Sequence, residues 1–211
     1  MSAPNRNVFI NCPFDEAYRG CFEALLFAIT VSGYEVRCAL EDDDAANIRF
    51  DKLRRLIRES ARTIHDLSRV ELGANDLPRF NMPFELGLAM GAKYFGNKAQ
   101  RRNSALIMVR EPYLLPAYLS DLAGNDPAPH GGDPHAVLRL VRRYLHTTPR
   151  GKLLPGPASY ISGFTKFKAD LPGFAEELEW GGEAIDALQN YRVYIDLLNA
   201  FVKNAKRAGA S

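Results

Sequence analysis

The chain has 211 residues, enough for one well-packed domain of ordinary size with a small appendage, and 46% of them are hydrophobic, which marks a globular fold. Its 27 basic and 25 acidic residues nearly cancel, so the net charge of +2 excludes a whole-chain electrostatic case for nucleic acid or a membrane surface. Cys12, Cys21 and Cys38 are odd in number with no paired spacing, the opening MSAPNRN lacks the apolar run of a signal peptide, and no apolar stretch nears the ~18 residues that span a bilayer. A cytoplasmic protein with reduced thiols and no membrane association is expected.

In chain order, VFINC (8–12) reads as a short strand ended by Pro13, and a helical pattern follows from Ala17 to Ser32, with Gly33 as its stop. YEVRCALE (34–41) reads as a second strand and EDDDAAN as an acidic loop. Ile48, Leu53, Leu56 and Ile57 then recur at helical spacing through a basic segment. Thr63 to Leu67 form a third strand, NMPFELGLAMGAKYFG (81–96) a nearly all-apolar helix, and SALIMVRE (104–111) a fourth strand. A helix near 116–123, a weak strand near 128–130 and a helix over 135–146 complete the series. Strands alternating with helices at this spacing predict an α/β fold, a doubly wound, flavodoxin-like parallel sheet over residues 1–147. From Thr148 a Pro/Gly-rich link leads into amphipathic runs over 158–206 without further strands, so residues 148–211 read as a helical C-terminal extension.

Open parallel sheets bind ligands where strand carboxyl ends meet helix N-termini at the reversal of strand order. That rule gathers Asn11, Phe14 and Asp15 after strand one, Glu41 to Asp44 after strand two, Asp66 after strand three, Arg79 and Asn81 before the apolar helix, and Arg110 after strand four. Glu85 is the one acid of that helix. Complementing the helix dipole would explain an acid in a first turn, with Asn81 as cap and Pro83 where no donor is needed. Against this, Met82, Phe84, Leu86, Leu88, Ala89 and Met90 surround it with apolar side chains. A carboxylate among them is costly unless it faces a cavity or a partner, so a pocket is expected.

The strand-end Asp66, a loop and then PFELGLAMG resemble the nucleoside 2-deoxyribosyltransferases and the related TIR-like domains, over roughly residues 7–110. The resemblance implies that Glu85 is the catalytic glutamate and that Asp66 helps to hold a ribose or base. It also implies cleavage of an N-glycosidic bond and, in the TIR-like branch, NAD as substrate and a setting in bacterial, including antiviral, defence. Where the transferases carry a further acid, this chain has Arg79, Phe80 and Asn81, and Arg79 suggests a phosphorylated ligand. Independently of the resemblance, a fixed carboxylate suits such chemistry, because breaking a C1′–N bond builds oxocarbenium character on the sugar. Phosphates would find free amides at the helix starts near Asp15 and Asn81, with charge from Arg79 or Arg110.

Other features read more simply. HGGDPH, with His130, Asp133 and His135, is a loop without a matched third metal ligand, so no metal is expected. No cofactor beyond a nucleotide substrate or ligand is expected, since neither a P-loop nor a GxGxxG motif is present. His65 should point away from Asp66 by strand alternation and be structural. KLRRLIR (52–58) reads as an exposed helix face, making nucleic acid an unexpected partner. Two functions stay open: an enzyme acting on NAD or a related nucleotide, and a nucleotide-sensing or assembly module with the same pocket and no turnover. The C-terminal helices are the expected surface for a homo-oligomer or protein partner.

Overall fold

A computed structural model describes residues 5–42, 48–69, 80–112, 117–122, 124–177, 179 and 185–208. In chain order the regular elements are β1 (Asn7–Asn11), α1 (Arg19–Val31), β2 (Glu35–Arg37), α2 (Arg49–Glu59), β3 (Arg62–Asp66), α3 (Asn81–Phe95), β4 (Ser104–Val109), β5 (Ala128–Pro129), α4 (Pro134–Leu145), α5 (Pro157–Glu177) and α6 (Tyr191–Ala208). All five strands are parallel, in the order β2-β1-β3-β4-β5. The chain leaves β1 for β2 on one side, then returns past β1 to lay down β3, β4 and β5 on the other. This reversal makes a doubly wound α/β fold of flavodoxin-like order, with its switch point between β1 and β3.

β2 is shorter than the alternating apolar pattern suggests. The Glu41 carboxylate accepts from the Cys38 N–H at 3.3 Å and from Arg37 Nε at 2.9 Å, which folds Ala39–Glu41 into a 3₁₀ turn where the strand would have continued. The expected helix near 116–123 is a 3₁₀ segment over Ala117–Leu122, kinked at Leu119 (φ −116°, ψ 28°).

By contact the chain divides into two compact units, residues 1–13 with 35–132 and residues 14–34 with 133–211. The first holds the sheet, α2 and α3. Period-two alternation sends Phe9, Asn11, Thr63 and His65 to one sheet face, and the registers Phe9↔Thr63 and Asn11↔His65 set them side by side. Phe9 packs there with Leu56 and Ile57 of α2 and Ala89 of α3, while Leu67, Met82, Leu86 and Val109 form a neighbouring cluster. These two clusters seat α2 and α3 side by side against the sheet.

In the second unit α1 is buried along almost its whole length and packs on α4, α5 and α6. Gly33, at φ 84°, ends α1 in the left-handed conformation that favours glycine, and its N–H returns to the Thr30 carbonyl at 3.0 Å. Phe27 meets the rings of Phe164, Phe167 and Phe201 at 5.5, 6.0 and 6.4 Å, and the buried Glu23 carboxylate is met by Lys168 at 2.7 Å. α5 and α6 therefore share an aromatic core with Phe27 of α1. None of the described helices is long and apolar enough to cross a membrane.

Candidate functional site

The switch point is built from the carboxyl end of β1. Asn11 Nδ2 donates to the Met82 carbonyl at 2.9 Å and stands 3.1 Å from His65 Nδ1, so one carboxamide joins β1, β3 and the first turn of α3. Since Nδ1 receives that hydrogen, the neutral ring of His65 carries its own proton on Nε2. Burial pushes the His65 pKa down to about 3, which keeps the ring neutral at physiological pH. His65 Nε2 is buried and has no hydrogen-bond partner among the described residues. The expected structural role of His65 thus takes a definite form: it helps to pin α3 to the sheet.

α3 begins at Asn81, whose side chain is exposed, and Phe80 stands at the cap position with no side-chain cap. The expectation that Asn81 caps the helix is therefore corrected, because the backbone bond from Phe84 N to Phe80 O at 2.9 Å starts the helix one residue earlier. This earlier start moves the acid. Glu85 is the fifth helical residue, beyond the first turn, where the dipole's effect has largely decayed. Dipole complementation does not account for it.

What surrounds Glu85 follows from helical spacing. It lies one turn before Ala89, and Arg49 lies one turn before Leu53; Ala89 and Leu53 share the Phe9 cluster. Acid and cation therefore close the seam between α2 and α3 at the end where the strands deliver their carboxyl termini. Burial raises the Glu85 carboxyl from 4.5 to about 7, and the charge of Arg49 opposes that rise without cancelling it. Glu85 has no hydrogen-bond partner among the described residues. A partly buried carboxyl poised near neutrality, and held by no hydrogen bond there, is available to react with or stabilise a ligand.

Asp66 sits one position beyond His65 and faces the other way. It is fully buried; its Oδ1 accepts from the Ser68 N–H at 2.8 Å and its Oδ2 lies 3.0 Å from His130 Nε2. Ser68 Oγ is 2.7 Å from the same nitrogen, and His130 Nδ1 accepts from Gly132 N–H at 3.1 Å. With Nδ1 receiving a hydrogen, Nε2 must bear one, which it directs at Asp66 and Ser68. Gly131 and Gly132, at φ 62° and 74°, supply the turn that aims that amide. This cluster ties the end of β3 to the segment after β5. Asp66 thus lies on the face of β3 opposite His65, with its two oxygens engaged by Ser68 and His130.

Sequence reasoning misses the pairing of His130 with Asp66. HGGDPH reads as a loop, and the one available signal is a histidine followed by two glycines directly after a short strand. Among the described residues no cluster of metal-binding side chains occurs. Arg110, at the end of β4, is exposed, with its guanidinium 3.8 Å from where a Cβ on Gly132 would stand. Phe14 and Asp15 belong to the second unit, where Phe14 meets Phe22 edge-to-face at 5.3 Å and Asp15 caps a 3₁₀ turn by accepting from Tyr18 N at 3.1 Å. Arg79, Asp43 and Asp44 lie outside the described residues. Glu41 and Asp42 are engaged by Arg37 and Arg55, at 2.8 and 3.0 Å, so this part of the acidic run is ion-paired.

The second unit contains a cavity of about 780 Å³ lined by Phe27, Val31, Tyr160, Phe174, Phe201 and Val202 among others. Its size would suit a ligand, but its charged groups, Lys166 and Asp170, satisfy one another at 2.7 Å. Its chemistry is that of an apolar helix groove. No family model matches the chain, and no curated protein or solved structure matches it.

Proposed function

We propose that the protein cleaves the N-glycosidic bond of NAD or a related nucleotide, as the likeness of its FELG helix to the deoxyribosyltransferase and TIR-like domains suggests, with Glu85 as the catalytic group. The observation that carries the reading is the Glu85 carboxyl: partly buried, without a hydrogen-bond partner among the described residues, and raised to about 7 at the carboxyl edge of the switch point. In this reaction the C1′–N bond breaks with its electron pair going to the base. Nicotinamide leaves as a neutral molecule and needs no proton. The positive charge left on the ribose faces the ionised Glu85, and water then adds at C1′ and loses a proton to solvent. Asn11 supports the site through α3 and has a further acceptor in its Oδ1. Asp66 and His130 hold the rim. Arg110 and the exposed start of α3 are available to the ligand's phosphates.

The pH profile is a direct test. Because the ionised carboxylate does the work, nicotinamide release by the full chain should rise with pH through about 7, the Glu85 value, and level off above it. The assay is incubation with NAD and a panel of nucleosides and nucleotides, with chromatography of the released base. NAD binding without release by concentrated protein would replace the enzymatic reading with that of a sensing module. A profile that falls through the same pH would instead point to a protonated Glu85 serving a base that must be protonated before it leaves.

A further inference from the structure

The outer face of α3 has no function in the site, yet its composition is unusual for a solvent-facing helix. Phe84, Tyr94 and Phe95 are 55%, 60% and 88% exposed, and Phe50 of α2, 43% exposed, lies 6.2 Å from the Phe84 ring. Between the aromatic ends stand Gly87 and Gly91. Glycine destabilises a helix interior relative to alanine, and a packed neighbour usually explains it. Here a Cβ at either position would meet nothing within 4 Å, so no neighbour within the described residues requires these glycines. They leave a shallow, uncharged notch flanked by large rings.

We infer that this face is the interface of a symmetric dimer, in which α3 of one copy packs antiparallel on α3 of a second. The spacing is self-complementary. With a two-fold axis level with residue 89, Gly87 faces Gly91 of the second copy and Phe84 faces its Tyr94, twice over, as an isologous interface demands. The glycines let the backbones approach, and the rings close over both ends. The exposed area is of the order a dimer needs: four rings exposed to this degree offer on the order of 500 Å² per copy from aromatic side chains that each present roughly 200 Å². With the glycine backbone and flanking atoms added, the pair approaches the ~1,200 Å² at which specific interfaces begin. No charged side chain stands between Gly87 and Gly91 on this face, while Arg54, whose guanidinium lies 5.9 Å from the Phe50 ring centre, and Arg58, 64% and 67% exposed, stand at its α2 edge, the pattern of an apolar core with a polar rim.

Sedimentation equilibrium of the full chain across the micromolar range should show a monomer–dimer equilibrium. Gly87→Leu should weaken association tenfold or more, since the side chain fills the notch, while leaving monomer folding intact, because no described residue lies within 4 Å of a Cβ at this position. Tyr94→Ala should weaken association as well, and Gly87→Ala should raise the melting temperature of the dilute monomer through helix propensity alone. A chain that stays monomeric throughout, or a dimer indifferent to both Gly87→Leu and Tyr94→Ala, overturns the inference. So does a monomer that binds single-stranded oligothymidine through Phe84 and Tyr94, which would assign the face to nucleic acid.

Discussion

Glu85→Gln is expected to lower turnover by 10²-fold or more while making the protein more stable at alkaline pH. The loss follows from removing the charge that balances the oxocarbenium-like state, a class of change that commonly costs this much. The gain follows from linkage. The carboxyl ionises near 4.5 in the unfolded chain and at about 7 when folded. Below pH 4.5 both states hold the proton and Glu85 costs nothing. Between those values the unfolded chain ionises first, and above pH 7 the full penalty applies. Discounted for partial exposure, that penalty is about 2 kcal/mol at pH 8, or ~5 °C in melting temperature for a chain of this size. Glu85→Gln should therefore melt higher than the wild type at pH 8 and at the same temperature near pH 4. An unchanged pH dependence of melting would show that the carboxyl is not desolvated, and with it the carrying observation would go.

The second large effect belongs to His130. Its ring N–H is directed at a fully buried carboxylate, so His130→Ala removes that hydrogen bond from Asp66 and leaves a void beside it. Losing a hydrogen bond to a buried charged group costs roughly 1.5–3 kcal/mol, which should appear as a drop in the urea midpoint without a change in slope. Asp66→Asn keeps an acceptor for the Ser68 amide and a polar partner for His130, and should cost less. The pair of variants separates two roles for Asp66. If it only holds the rim, Asn at 66 should retain most turnover in proportion to the folded fraction; if it touches the ligand, turnover should fall far more than stability.

Features governed by near neighbours are legible in the sequence. β1, β3 and α3 can be read because their apolar periodicity is local, and the parallel order follows from alternation with helices. Glu85 stands out because its neighbours are apolar, and that argument needs no tertiary contact. What escapes is long-range. Nothing near Asp66 in sequence announces His130, since their pairing depends on β5 joining the sheet edge beyond β4. The end of β2 is misread because Glu41 overrides a strand-like pattern by capping its own turn. The basic run of α2 is the expected exposed helix face at Arg54 and Arg58, whereas Lys52 is half-buried and donates to the carbonyls of Ala39 and Asp42 at 2.6 and 2.5 Å.

The carboxamide of Asn11 reaches partners 54 and 71 positions away, both through the same nitrogen. Each of its two hydrogens has one destination, and both destinations exist only when β1 and β3 are aligned Asn11 to His65. A slip of one residue between these strands would turn Asn11 to the opposite side and present α3 with an apolar neighbour instead. Docking of α3 thus proofreads the alignment of the two central strands. A chain with these strands out of register loses the Asn11 bond that seats the helix bearing Glu85.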